Sequence, residues 1–231
     1  MYKICYYFLL FLMYSVLGWL MEVVNSYFIH KRFVNRGFLI GPYIPIYGCC
    51  AIVMVLLLHS VKNPITLFTS SILIASIGEY LTSYIMEKVF HARWWDYSDY
   101  KYNLNGRICL INCLGFGILG FILIKYLNNF LYNIYSNLNE TTINIIFYTL
   151  ITIFIIDLIV SFKVIFKVKN MSLKFKNPDN TNEITKKVRE VIKSNPLVKR
   201  LFMAFPNVKP IIKKSAITIK NTTKRLITGN K

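Results

Sequence analysis

The sequence has few charged residues and very few acidic ones. Asp, Glu, Lys and Arg make up 16% of the 231 residues, and only 10 of them are acidic. Soluble domains carry about 25% charged residues, so the low charge argues against an ordinary globular protein of the cytosol. Aromatic residues also reach 16%, which is far too many for a disordered chain. With 55% apolar and aromatic residues, the composition favours an integral membrane protein.

Alanine is missing from the start of the sequence. The first Ala is Ala51, so no small-residue cleavage site follows the first apolar run, which reaches from Ile4 to about Val24. The run is also longer than the core of a secretory signal peptide. We therefore predict that it is a retained membrane-spanning helix.

Apolar runs of similar length recur along the chain. A helix needs roughly 20 mainly apolar residues to cross about 30 Å of hydrocarbon. Five runs predict an all-α, polytopic membrane protein with five transmembrane helices in a domain covering residues 1–163. A basic tail would follow over 164–231. The approximate bounds of the five helices are 4–24, 37–61, 63–87, 108–127 and 141–163.

The basic residues predict the orientation of these helices, because cytoplasmic loops carry an excess of Lys and Arg. The chain after residue 162 contains 18 of the 28 basic residues, and the loops 25–36 and 88–107 contain three and four. The opposite segments contain one each, at Lys3, Lys62 and Lys125. We therefore expect the amino terminus outside the cell and the carboxyl terminus in the cytoplasm.

Four acidic residues lie within or beside the predicted helices, at Glu22, Glu79, Glu87 and Asp157. Charged groups at membrane depth are costly, so they usually face the interior of the bundle and mark a site or an ion pair. Glu22 and Glu87 lie near helix ends, close to water. For these two, a carboxylate at the hydrated membrane surface without a functional role is an open alternative. Glu79 and Asp157 lie deeper, which favours a functional or ion-paired role.

The second apolar run begins with residues that weaken a helix. Two prolines and three glycines fall within residues 37–48. Each proline removes a hydrogen-bond donor and crowds the carbonyl one turn back. Unwound helices at membrane depth are tolerated where they line a cavity, and they recur at transporter sites. A simple kink in a packed helix is the alternative.

The loop after the third run combines aromatic and charged residues, from Trp94 to Arg107. Trp and Tyr favour the headgroup layer, so a loop lying on the membrane is one interpretation. Arg36 and Arg107 also precede the next helices, and ion pairs with nearby carboxylates would reduce the cost of burying them. The candidate binding or ion-pair residues are therefore Glu22, Arg36, Glu79, Glu87, Trp95, Asp96, Asn105, Arg107 and Asp157.

The basic tail has two amphipathic patterns. Residues 180–183 predict a helix cap, followed by apolar residues on one face up to residue 192. Pro196 predicts the start of a second short helix, with Lys199 and Arg200 opposite its apolar face. Such basic helices bind anionic lipid headgroups, so membrane lipids are expected partners. Nucleic acid is not expected, because stacking aromatic residues are absent from the tail after Phe205.

No metal, cofactor or catalytic residue is predicted. The five cysteines lie in or beside apolar runs, where packing is their usual role. Cys109 and Cys113 are one turn apart, but no His accompanies them. No Ser-His-Asp or zinc-ligand pattern is evident, which argues against an enzyme without excluding one.

Several short segments of the chain resemble segments that occur in the same order in the proteins of one known family. They are Tyr14–Trp19 with Glu22, Asn35–Leu39, Gly41-Pro42, Pro45–Gly48, Glu79-Tyr80 with Glu87, Trp94–Ser98, Asn105–Leu110 and Asp157. In these segments the chain resembles the bacterial membrane proteins called putative ABC-transporter type IV, or putative ABC transporter permeases. The resemblance implies a multi-pass protein of the bacterial inner membrane. The chain has no G-x-x-x-x-G-K-[ST] phosphate loop, so ATP-driven transport would require a separate ATPase subunit.

The leading functional prediction is a permease or transporter component with a cytoplasm-facing polar cavity for a small solute. Its basis is that the charged residues converge on one predicted membrane side. Two alternatives stay open. An intramembrane enzyme acting on lipid or envelope precursors would use paired carboxylates as acid and base. A scaffold would instead dock partners through the basic tail, and a homo-oligomer is compatible with each of these functions.

Overall fold

The computed structural model describes residues 2–90, 92–174, 196–205 and 209–210, and most of these are helical. A π-helical turn at Leu123–Leu127 joins the helices Leu110–Ile122 and Asn128–Ser136 without a break. The helices are α1 (Tyr2–His30), α2 (Pro45–Leu58), α3 (Pro64–Phe90), α4 (Leu110–Ile122), α5 (Asn128–Ser136), α6 (Glu140–Lys174) and α7 (Pro196–Ala204). The strands β1 (Ala92–Arg93), β2 (Asn103–Leu104), β3 (Ile108–Cys109) and β4 (Lys209–Pro210) form two antiparallel pairs, β1 with β4 and β2 with β3.

Among the described residues, four helical stretches are long and apolar enough to cross a membrane. They are Lys3–Ile29, Pro64–Phe90, Leu110–Ser136 and Glu140–Phe166, each of 27 residues. At a rise of 1.5 Å per residue such a stretch measures about 40 Å, which exceeds the roughly 30 Å of hydrocarbon. The prediction of a mostly helical membrane protein is therefore confirmed.

The second helix of the structure is shorter than the helix predicted over residues 37–61. Residues 37–44 are not helical, and α2 begins only at Pro45. Pro42 and Pro45 have no N–H group for a helical hydrogen bond, and Pro45 occupies the first turn of α2, where that donor is not needed. The prediction of a helix from residue 37 is therefore wrong. The 14 residues of α2 measure about 21 Å, which is shorter than the hydrocarbon layer.

The other helices continue past their predicted ends. Helix α1 ends at His30, the joined α4–α5 stretch at Ser136 and α6 at Lys174. Hydropathy marks only the apolar part of a helix, and polar residues can continue it beyond that part. As a result, the boundary predicted at residue 163, between membrane domain and tail, falls inside α6.

Small residues allow the helices to pack closely. Gly48 of α2 lies against Ser15 of α1, and Gly120 of α4 lies against Ser71 of α3. A side chain at either glycine would overlap the neighbouring helix, so these positions let the backbones approach. The largest buried apolar cluster lies where these helices meet and includes Leu10, Tyr14, Ala51, Met54, Leu67, Ala75 and Ile124.

The two ends of the helix bundle differ in chemistry. One end is apolar and aromatic, with Cys5, Tyr135, Ile143 and Phe147 buried together. The other, which we call the polar end, contains segment 31–44, the loop between α3 and α4, and α7. All nine candidate site residues lie at the polar end.

Helix α7 lies where the sequence predicts the second tail helix, but it packs on protein. Its Leu201 is buried in a cluster with Phe90, Trp94 and Ile165. Arg200, predicted on the solvent side, is only partly exposed and donates to the Phe38 carbonyl at 3.1 Å. The tail helix predicted before residue 192 lies outside the described residues, and lipid binding by the tail stays a prediction.

Candidate functional site

Asp157 is the acidic residue that holds the non-helical segment. Its side chain Oδ1 accepts from the backbone N–H of Ile40 at 3.0 Å, and Oδ2 accepts from that of Gly41 at 2.7 Å. The hydroxyls of Tyr43 and Ser161 donate to the same carboxylate. A non-helical segment lacks internal partners for its N–H groups, so a buried acceptor is needed. Each oxygen of Asp157 accepts two hydrogen bonds, and the carboxylate is fully satisfied.

Segment 31–44 has further anchors on α1. The Trp19 indole donates to the Asn35 side chain at 2.7 Å, and the Asn35 amide donates to the Ile40 carbonyl at 2.9 Å. Gly37 adopts a φ of +125°, which residues with a side chain rarely adopt. The segment is therefore a defined structure with its own sequence requirements, and not a frayed helix end.

Glu22 connects this segment to α2. The Nε of Arg36 lies 3.7 Å from Glu22 Oε2, and the Tyr47 hydroxyl donates to Oε1 at 2.9 Å. Both charged side chains are about a third exposed, so the ion pair itself is weak. Arg36 also donates to the Ala204 carbonyl at the end of α7. Its positive charge is thus shared between Glu22 and the negative end of a helix.

Glu79 is buried and only partly satisfied. The residue is 7% exposed, and its Oε1 accepts from the Tyr97 hydroxyl at 3.1 Å. Its Oε2 is buried and has no hydrogen-bond partner within the described part of the chain. Glu22 and Tyr47 both interact electrostatically with Glu79. We call Glu22, Tyr47, Glu79 and Tyr97 the two-glutamate cluster.

Tyr97 lies on the loop outside the predicted helices and acts as a hydrogen-bond donor. Burial raises the pKa of its phenol, and the adjacent charge of Glu79 raises it further. The hydroxyl therefore keeps its proton and donates a hydrogen bond to Glu79. Its remaining lone pairs can only accept.

The other charged candidates form a separate ion-pair network. Glu87 contacts Arg107 at 2.8 Å and Arg93 at 3.2 Å, and Arg93 lies 3.5 Å from Asp96. Arg107 is 7% exposed and also donates to the Ser83 hydroxyl at 3.1 Å. Two positive and two negative groups balance, so this network carries no net charge.

A β-hairpin positions Arg107 for that network. The N–H of Arg107 donates to the Leu104 carbonyl at 3.0 Å, and the two residues between them, Asn105 and Gly106, have φ values of +55° and +66°. This is a type I′ turn, which favours Asn-Gly because both positions need positive φ. Trp95 donates from its indole to the Arg107 carbonyl at 3.1 Å. Trp95 therefore supports the hairpin.

The structure brings some predicted residues together and separates others. Glu22 lies with Arg36 and near Glu79, whereas Glu87 lies with Arg107. Asn105 donates to the Tyr80 hydroxyl at 2.9 Å and holds the hairpin to α3. The described hydrogen bonds of Asp157 go to segment 37–44 and to α6 itself. They place Asp157 in an arrangement distinct from the two-glutamate cluster.

The tyrosines that donate to carboxylates are not among the residues predicted from the sequence. Tyr43, Tyr47 and Tyr97 do so from distant positions, and the chain contains 16 tyrosines, so pattern alone could not select them. Two signals were usable. Ser161 follows Asp157 by one helical turn, and Asn105-Gly106 is a strong hairpin dipeptide.

Metal binding gains no support from the geometry. Across residues 2–90, 92–174, 196–205 and 209–210, no three His, Cys, Asp or Glu side chains come together in a way that could hold a metal ion. The five cysteines are free thiols, and Cys113 accepts from the Ser76 hydroxyl at 3.1 Å. These cysteines therefore contribute packing and a hydrogen bond.

Four apolar helices of membrane-spanning length occur in the described part of the chain and identify a membrane protein, and its ion pairs and buried carboxylates are gathered at one end of the bundle. The chain belongs to the family described as Putative ABC-transporter type IV, whose sequence model matches residues 9–162. The predicted resemblance is thereby confirmed. The match covers the two-glutamate cluster, segment 31–44 and Asp157, and it ends before α7. No curated protein and no solved structure matches the chain.

Proposed function

We propose that the chain is the membrane subunit of a transport system in the bacterial inner membrane, with a binding site for a small solute at its polar end. The family is described as a type of ABC transporter, and four described helices have the length of membrane spans. ATP hydrolysis would come from a separate ATPase subunit, because the sequence contains no phosphate loop.

The proposal includes five membrane crossings, with the polar end facing the cytoplasm. Helix α2 supplies about 21 Å of the second crossing, and non-helical residues 37–44 supply the rest at up to about 3.3 Å per residue. The excess of Lys and Arg at the polar end supports the orientation.

Labelling of introduced cysteines tests this topology. Ser60→Cys follows α2 and Asp99→Cys lies in the loop after α3, and both positions are exposed. A membrane-impermeant maleimide should label Ser60→Cys from outside the cell and Asp99→Cys only in inside-out vesicles. The wild-type chain, with its own five cysteines, provides the background. Labelling of both positions from the same side would contradict five crossings.

The observation that carries the transport proposal is the non-helical segment held by Asp157. Non-helical backbone among membrane helices occurs where it is buried in protein or lines a cavity, and it recurs at transporter binding sites. A helix that served only for packing would not require a buried carboxylate to replace its hydrogen bonds. The segment also carries Arg36 and leads into Tyr47, both of which contact Glu22. It therefore connects Asp157 to the two-glutamate cluster.

A binding screen on the purified chain tests the transport site. Cationic, anionic and neutral small solutes are screened for thermal stabilisation of the wild type, of Asp157→Asn and of Glu140→Gln. Glu140 is an exposed acidic residue at the opposite end of the bundle, so its variant is the matched control. We expect at least one solute to stabilise the wild type and Glu140→Gln, and to stabilise Asp157→Asn much less. No stabilisation by any solute would remove the proposal, and product formation from lipid alone would favour an enzyme.

A further inference from the structure

We infer that the solute is a small organic cation with a primary ammonium group, bound between Glu22 and Glu79. This inference rests on the proposed function, since it names the class of solute for the same site. It follows from the donors, acceptors and charges of the two-glutamate cluster. The anchored carboxylate of Asp157 takes no part in it.

The hydrogen-bond donors of the cluster are already used. The Tyr97 hydroxyl donates to Glu79 Oε1 at 3.1 Å, and the Tyr47 hydroxyl donates to Glu22 Oε1 at 2.9 Å. A phenol has one proton to donate, so both oxygens are left as acceptors. Glu79 Oε2 is a further acceptor, buried and without a partner in the described residues. The cluster therefore has unmet acceptors, and a ligand that brings donors would satisfy them.

The charges of the cluster also favour a cationic ligand. Glu22 and Glu79 are two carboxylates, and Arg36 is the described basic side chain that contacts either of them, at 3.7 Å. Arg36 is also committed to the Ala204 carbonyl. The nearby arginines of the hairpin loop are neutralised within their own network. Counted as ionised groups, the two carboxylates outnumber this one guanidinium, and a cation bound beside Glu79 would favour the charged form of its carboxylate.

An ammonium group fits these requirements better than a metal ion or an anion. Its N–H groups can donate to Glu79 Oε2 and to the tyrosine oxygens. Calcium takes about six to eight oxygen ligands, and no group of three His, Cys, Asp or Glu side chains suited to a metal occurs in the described ranges. An anion would meet two carboxylates, and both tyrosine hydroxyls of the cluster already donate to those carboxylates.

Binding of simple amines to the full-length protein in detergent tests the inference. The probes are the hydrochlorides of ethylamine, ethanolamine and putrescine, compared with tetramethylammonium chloride and sodium acetate at equal ionic strength. At least one amine should bind the wild type and Glu140→Gln with the same affinity. Affinity for Glu79→Gln should fall by about tenfold or more, because a charged hydrogen bond is lost. Tetramethylammonium, which has no N–H donor, should bind more weakly than the amine, and acetate should not bind.

The outcomes separate this inference from the proposed function. Equal amine affinity for wild type and Glu79→Gln overturns the inference, as does the absence of amine binding to the wild type. Binding of an anionic or neutral solute that depends on Asp157 would reject the ammonium class and leave the transport site standing. If Glu79→Gln fails to fold, Glu22→Gln gives the same test, because its side chain is 30% exposed and tolerates the change better.

Discussion

Asp157 and Glu79 are buried carboxylates at the same end of the bundle, and their surroundings differ. They are 9% and 7% exposed, so burial does not distinguish them. Asp157 accepts four hydrogen bonds, two of them from backbone N–H groups. Glu79 accepts one, and its second oxygen is unpartnered in the part of the chain described. A satisfied carboxylate stabilises a fold, whereas an unsatisfied one gains from a ligand.

The largest effect is expected at Asp157. Asp157→Ala would leave the N–H groups of Ile40 and Gly41 buried without acceptors, so we expect the loss of about 3 kcal/mol or more of stability. The readout is the thermal unfolding midpoint of the purified protein in detergent, with Glu140→Gln as control. An unchanged midpoint would mean that segment 37–44 does not depend on this carboxylate.

A smaller and unequal effect is expected when each carboxylate loses one tyrosine hydroxyl. Tyr97→Phe removes the described donor of Glu79 and should cost about 2 kcal/mol, whereas Tyr43→Phe leaves Asp157 three donors and should cost about 1 kcal/mol. Unfolding midpoints of the two variants, measured side by side, check the order. If Tyr43→Phe is the more destabilising of the two, the contrast between the carboxylates is wrong.

The smallest effect on stability is expected at Glu79 itself. Glu79→Gln removes a buried charge and keeps the shape of the side chain, so the free energy of unfolding should stay within about 1 kcal/mol of the wild type or rise. The amine-binding measurement described above should change strongly in the same variant. A large drop in the unfolding midpoint would mean that the Glu79 carboxylate stabilises the fold, as that of Asp157 does.

Local sequence signals predicted much of this architecture. Apolar runs located four helices of spanning length, because hydropathy is a property of consecutive residues. Prolines and glycines marked the weak start of the second run, although the structure has no helix over residues 37–44.

The long-range partners could not be predicted in the same way. Asp157 accepts hydrogen bonds from residues 114 to 117 positions away in the sequence. The periodicity of neighbouring residues gives no information about contacts at such a distance. The sequence predicted that Arg36 and Arg107 form ion pairs with nearby carboxylates, without assigning the partners. The structure pairs Arg36 with Glu22, and Arg107 with Glu87.

Helix α7 lies outside the family match, which ends at residue 162, yet it covers residues inside that match. Phe205 lies against Trp94, with ring centroids 5.1 Å apart, and Leu201 is buried in the same aromatic cluster, which Phe38 also contacts. A chain truncated at residue 174 would therefore expose a contiguous aromatic patch. Exposed patches of this kind promote aggregation, so the length of the tail governs how well the purified protein stays monodisperse.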